Sequence, residues 1–173
     1  MHSGGPDGEL GASLRYLSQR YSMPYPELKA LLTDIGTEEL GHLETIGTIV
    51  HQLTRNLNEE QIRSGGFEPY FVDHTTGVYP TAASGSPWNA AGMAVKGDLI
   101  AALTEDLAAE QKARVTYDNI LRLAKDDPDV TDVIRFLRER EIVHFQRFGS
   151  AIQQVREQLD QKNVYYTNPA FDR

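Results

Sequence analysis

An all-α protein, built as a four-helix bundle with a long crossover loop between its second and third helices, is what this sequence predicts. Three observations carry the prediction. Two long segments show apolar seams in alternating steps of three and four residues, the signature of a core-facing helix. Each is preceded by a shorter or less regular helical segment, giving two pairs. Between the pairs, glycine and proline crowd one long stretch, and nothing alternates with the period of a strand. At 173 residues the chain has the size of one domain, large enough to bury a substantial core without staples, and 1–173 is read as a single unit.

The first helix is expected over about 7–21, with Leu10, Leu14 and Leu17 on one stripe and Pro24 and Pro26 behind it as stops. The second runs over about 26–53 and carries the seam Leu32, Ile35, Glu39, His42, Ile46, Ile49 and Leu53. Residues 55–97 hold Gly65, Gly66, Pro69, Gly77, Pro80, Gly85, Pro87 and Gly97 and resist a helical reading, as suits the crossover connection of a bundle. Phe67, Tyr70, Phe71, Tyr79 and Trp88 would pack this loop on the bundle or on a second subunit. Asp98 after Gly97 is a good N-cap for a third helix over about 98–125, whose stripe is Leu103, Asp106, Glu110, Ala113, Tyr117 and Ile120. Asp127-Pro128 then caps and starts a fourth over about 128–161, with the seam Ile134, Leu137, Glu141, His144, Phe148, Ala151 and Val155. Asn163, Asn168 and Pro169 give 162–173 the look of an irregular tail.

Composition removes several function classes. With no cysteine there is no disulfide framework, thiolate zinc site or iron–sulfur cluster, which leaves carboxylate and imidazole as the strong metal ligands. A formal net charge of −8 argues against a nucleic-acid partner. No apolar run reaches the roughly 18 residues of a membrane span, and the first eight residues lack the basic and apolar regions of a secretory signal. A soluble, cytoplasmic protein is expected.

In each long seam the only polar members are a Glu and a His, and they lie at its centre: Glu39 with His42, and Glu141 with His144. Three positions apart on a helix, the two side chains point the same way. Each unit also has a lone Glu upstream at nearly the same distance, 30 residues from Glu9 to Glu39 and 31 from Glu110 to Glu141. Two helices giving a Glu and two giving Glu-x-x-His is the pattern by which a bundle core holds two metal ions. Charge explains the need. Buried unpaired carboxylates cost several kcal/mol each, about the whole stability of a domain, so something positive must sit among them. The competing reading is a Glu/His/Arg hydrogen-bond network with Arg15, Arg114 and Arg138 as counterions; two matched seams favour metal. Glu38, Glu44, Glu59, Glu60 and Glu139 lie off the stripes and read as solvated, and Asp106, one turn before Glu110, reads as a neighbour of the site. His51 and His74 lack a Glu three residues back and read as surface or loop residues, and His2 lies in the terminus. This donor set suits iron or manganese better than zinc and leaves di-iron and dimanganese open. On spacing alone Glu141 reads as a ligand.

The segments Gly5-Pro6-Asp7-Gly8-Glu9-Leu10, Thr37-Glu38-Glu39-Leu40-Gly41-His42, Glu110-Gln111-Lys112-Ala113-Arg114 and Arg138-Glu139-Arg140-Glu141-Ile142-Val143-His144 resemble the manganese catalase family, in particular its short, CotJC-type spore-coat branch, over most of residues 4–160. The resemblance implies a ferritin-like bundle holding two manganese ions, with Glu9 and His42 on one ion, Glu110 and His144 on the other and Glu39 bridging them. It implies that Glu141 is not a ligand but a catalytic proton acceptor and donor beside the pair. The implied reaction is disproportionation of hydrogen peroxide to water and oxygen. A homo-oligomer, often a hexamer, is implied too, as is an association with other spore-coat proteins. The short run before Glu9 leads to the expectation of a frayed first helix and a weakened Glu9 site, and the long C-terminal extension of the larger members is not expected here. Two alternatives compete: a di-iron peroxidase or oxidase of the rubrerythrin or ferritin-like type, which needs an external reductant, and a structural spore-coat protein with little activity.

Overall fold

The computed structural model describes residues 3–162. Its helices are α1 (Glu9–Gln19), α2 (Pro26–Thr54), α3 (Glu59–Ser64), α4 (Glu68–His74), α5 (Leu99–Leu123) and α6 (Pro128–Lys162), with short 3-10 turns at Arg20–Ser22 and Ala90–Gly92. The largest interfaces are within the hairpins α1/α2 and α5/α6, and the two hairpins close on each other to make the bundle. The expected irregular tail beyond Lys162 lies outside the described residues. Among those residues the sole β feature is an isolated bridge between Thr81 and Pro87. None of the described helices is long and apolar enough to cross a membrane.

Helix starts follow their local chemistry. The Asp98 carboxylate accepts from the Ala101 backbone N–H at 2.7 Å, and that of Asp127 accepts from Val130 at 3.3 Å just ahead of Pro128. Pro26 opens α2.

Three expectations about the elements are corrected. The first helix starts at Glu9, two residues later than expected, and Leu10, Leu14 and Leu17 are only half-buried. Its buried face is Glu9, Gly11, Ser13, Arg15, Tyr16 and Gln19, because that is the side aimed at the polar centre of the bundle. Leu17 lies instead against the backbone of α2, where a Cβ on Gly36 would come within 2.9 Å of it, and the Ser13 hydroxyl donates to the Gly36 carbonyl at 2.7 Å. The seam of α2 is buried only as far as Ile46; Leu53 is exposed, since α1, at 11 residues, is outrun by the 29-residue α2. The crossover, finally, is not irregular throughout. Asn58 and Gln61 form a reciprocal capping box that starts α3, and Pro69 sits in the first turn of α4, where proline favours a helix. Its aromatic residues pack mainly on one another: Phe67 on Tyr70, Tyr70 on His74, and His74 stacked on Tyr79 at 4.8 Å.

The apolar core falls into two clusters. One contains Leu32, Ile35, Leu103, Phe148 and Ala151; the other contains Ile46, Tyr117, Ile134 and Leu137. Along both α2 and α6 the residues of one cluster precede the Glu/His pair and those of the other follow it. A polar layer therefore crosses the middle of the bundle, sealed at both ends by packed hydrocarbon.

Candidate metal centre

Four helices deliver that layer. Glu9 comes from α1, Glu39 and His42 from α2, Glu110 from α5, and Glu141 and His144 from α6; each is no more than 4% exposed. They form two overlapping sets, Glu9/Glu39/His42/Glu141 and Glu39/Glu110/Glu141/His144, whose ligand atoms lie within 4.8 Å of one another. All six residues singled out from the sequence are thus brought together.

The two imidazoles stack nearly parallel, 5.6 Å apart, and both turn Nδ1 toward the carboxylates. His42 Nδ1 lies 2.9 Å from Glu39 Oε2, 3.3 Å from Glu141 Oε1 and 3.7 Å from Glu9 Oε2. His144 Nδ1 lies 2.8 Å from Glu39 Oε1 and 3.4 Å from Glu110 Oε2. Glu39 therefore reaches both histidines, one oxygen to each.

Burial and crowding dominate the electrostatics. Burial first, then the charge of Glu9, pushes the Glu39 carboxyl up to about 8, and the same two causes push Glu141 up. Burial works to lower the histidines, but the carboxylates at Nδ1 outweigh it and hold His144 at about 10 and His42 above its ordinary value. The net effect of burial and the crowding of acids at the site is thus a raised proton affinity of Glu39, Glu141 and both histidines.

Arginine does not neutralise it. Arg114 and Arg138 both bind Asp118 on the flank of α5, and Arg15, though buried, donates to the Pro6 carbonyl and faces Glu105 at 3.9 Å. The counterion network weighed from the sequence is not formed. Meanwhile both oxygens of Glu39, Oε2 of Glu110, Oε1 of Glu141 and both nitrogens of each histidine are buried without a hydrogen-bond partner. Hard oxygen donors and imidazole nitrogens, convergent and otherwise unsatisfied, fit two divalent cations, whose four positive charges match four carboxylates.

Four neighbours were not assigned from the sequence. The Tyr16 hydroxyl donates to Glu110 Oε1 at 2.5 Å, and that of Tyr117 donates to Glu9. Each tyrosine follows a core Glu by seven residues, two helical turns, and crosses to the Glu of the other hairpin; the repeated spacing was the signal available in the sequence. Glu38, expected on a solvated face, is only 29% exposed, held by Arg140 and turned toward both histidines. No seam position marked it. Of the rest, Glu44, Glu59, Glu60, Glu139 and His51 are exposed as expected, and His74 packs among the crossover aromatics. Asp106 is fully buried one turn before Glu110, where burial raises its pKa despite the opposing pull of Gln19 and Arg15. His2 lies outside the described residues.

A helical bundle carrying paired carboxylate and imidazole donors at its core defines a ferritin-like protein with a cluster able to bind metal. The sequence profile of the family described as manganese containing catalase matches residues 2–170, and the chain belongs to that family. It is 49% identical to Protein CotJC of Bacillus subtilis over 94% of this chain and 85% of that one. It is also 35% identical to a probable manganese catalase of Clostridium acetobutylicum, over 95% and 72%. Among solved structures it resembles the manganese catalase KatB of Anabaena, with a TM-score of 0.82 and 28% identity over 96% of this chain and 73% of that one.

Proposed function

We propose that the protein is a manganese-dependent, non-haem catalase that disproportionates hydrogen peroxide to water and oxygen. Family membership supports the reaction class, and the observation that carries the residue assignment is the double reach of Glu39. Its two oxygens lie 2.9 and 2.8 Å from the two Nδ1 atoms, as suits a carboxylate shared between two ions, whereas Glu141, though it belongs to both donor sets, comes no nearer than 3.3 Å to an imidazole nitrogen among the described residues, that of His42. In this reading Glu9 and His42 would hold one ion and Glu110 and His144 the other, with Glu39 serving both. A manganese pair, when bound, supplies the two-electron change that lets one peroxide be oxidised to oxygen and a second be reduced to two waters.

The chain's own residues supply the proton handling. Oxidation of the first peroxide releases two protons and reduction of the second consumes two. Glu141 takes up and returns one of them, a task suited to a carboxyl whose proton affinity is raised by burial and the charge of Glu9, and the other is exchanged through solvent. Tyr16 and Tyr117 fix the carboxylates of Glu110 and Glu9, so that neither acid swings when the charge of the site changes. The apolar clusters on either side exclude bulk water and larger reductants. The likeness to Protein CotJC supports a spore-coat location, and a homo-oligomer in contact with other coat proteins is proposed with it.

The test is metal analysis of protein purified from manganese-supplemented cells, paired with oxygen release on adding peroxide alone. About two manganese per chain and prompt oxygen are expected. Iron in place of manganese, with peroxide consumed only when a reductant is added, would move the protein to the di-iron peroxidases.

A further inference from the structure

Behind the two histidines, on the side away from the four acids, stands a single carboxylate. Glu38 Oε1 lies 3.6 Å from His42 Nε2, and Glu38 Oε2 lies 3.2 Å from His144 Nε2. Both Nε2 atoms are buried without a hydrogen-bond partner, and no other acidic oxygen approaches either of them among the described residues. The carboxylate is itself gripped from outside. Arg140 donates Nε to Oε1 at 2.5 Å and Nη2 to Oε2 at 3.1 Å, a bidentate fork that fixes the plane of the group.

We propose that Glu38, locked by Arg140, is the shared positioning residue of both manganese sites. One oxygen serves each imidazole, so that both rings present Nδ1 to the metal and keep the proton on Nε2. The inference rests on the dimanganese reading above. A metal-bound histidine is oriented by what its second nitrogen donates to, and its basicity as a ligand rises when that acceptor is anionic. Commonly each ligand has its own acceptor. Here the stacked rings, 5.6 Å apart, bring two Nε2 atoms to one carboxylate. A small rotation of either ring turns 3.2 and 3.6 Å into hydrogen-bond geometry. The arrangement couples the sites: whatever displaces Glu38 loosens both ions together. The structure also explains why Arg140 is not free to serve the acids of the centre itself, since its fork is spent on Glu38.

Equilibrium manganese binding, by competition with a chelator, tests this in wild type, Glu38→Ala, Glu38→Gln and Asp34→Ala. Asp34 binds Arg147 across the same two helices without touching the histidines, and controls for helix docking. In Glu38→Ala both ions should bind about 10–100-fold more weakly, while Asp34→Ala binds as wild type. Glu38→Gln offers one acceptor oxygen and presents its amide N–H to the other imidazole. It should hold one ion near wild-type affinity and lose the second, showing the six-line electron paramagnetic resonance signal of isolated Mn(II) in place of a coupled pair. Unchanged affinity in both Glu38 variants, or an equal loss in Asp34→Ala, overturns the assignment while leaving the dimanganese reading standing. Wild-type protein that binds no manganese overturns both.

Discussion

Replacing Glu141 by Gln keeps the size and shape of the side chain and removes only its ability to exchange a proton. The position is 2% exposed and lies 3.3 Å from His42 Nδ1, so an amide fits where the carboxylate was. If Glu141 carries protons and does not hold an ion, the five remaining donors still bind two manganese. The loss then falls on turnover. A positioned general acid–base group contributes roughly 10²–10⁴-fold, or about 3–5 kcal/mol of barrier. The upper part of that range is expected, because on the proposed assignment Glu9, Glu39 and Glu110 would be occupied as ligands and leave no second carboxyl to substitute. The metal-free variant should also melt higher than metal-free wild type, since one of four mutually repelling acids is gone. Metal content by elemental analysis, kcat from oxygen release and thermal melts in chelator read all three effects on one preparation. A variant that purifies without metal would return Glu141 to the ligands, and one with wild-type kcat would remove it from the reaction.

Other outcomes follow from the same geometry. His42→Ala and His144→Ala each remove the imidazole that one ion depends on, and elemental analysis should find at most one manganese per chain in either; full loading would refute the one-histidine-per-ion assignment. Metal-free protein should lose stability as pH rises. Glu39 is raised from 4.5 to about 8 and His144 from 6.5 to about 10, so the folded state binds more protons across those windows, and the stabilisation present below them is lost on passing through the upper values. Glu38 has the opposite sign: its carboxylate is lowered to about 2, and the stability it lends above 4.5 is lost as pH falls toward 2. Manganese competes with the protons at the centre, so the rise in melting temperature on adding it should be larger at pH 8 than at pH 6, and melts with and without metal read both trends. Gly36→Ala places a methyl 2.9 Å from Leu17 and should cost about 1–3 kcal/mol by chemical denaturation, through the α1/α2 contact.

Much of the fold was legible because a helix writes its buried face into the sequence at a fixed period. The seams of α2 and α6 name their own centres, and Asp98, Asp127 and Pro128 mark starts by chemistry that acts within four residues. The short α3 and α4 were hidden for the opposite reason: glycine and proline were read as breakers, although Pro69 opens a helix and Gly65 closes one. In α1 the leucine stripe marks the helix but not its buried face, because the helix turns Glu9 and Tyr16 inward, toward the polar layer between the two apolar clusters.

By itself the sequence determined which side chains had to meet. Glu9, Glu39, His42, Glu110, Glu141 and His144 were set by periodicity along single helices and by the cost of burying charge, both local properties of the chain. Tertiary structure alone decided what surrounds them. That Tyr16 reaches Glu110 across 94 residues, that Tyr117 reaches Glu9 across 108, and that Arg140 clamps Glu38 across 102 depends on how two hairpins dock. The seven-residue Glu–Tyr spacing places each tyrosine on the face of its own helix's acid, but which acid it reaches is set by the docking of the helices and by no spacing along the chain.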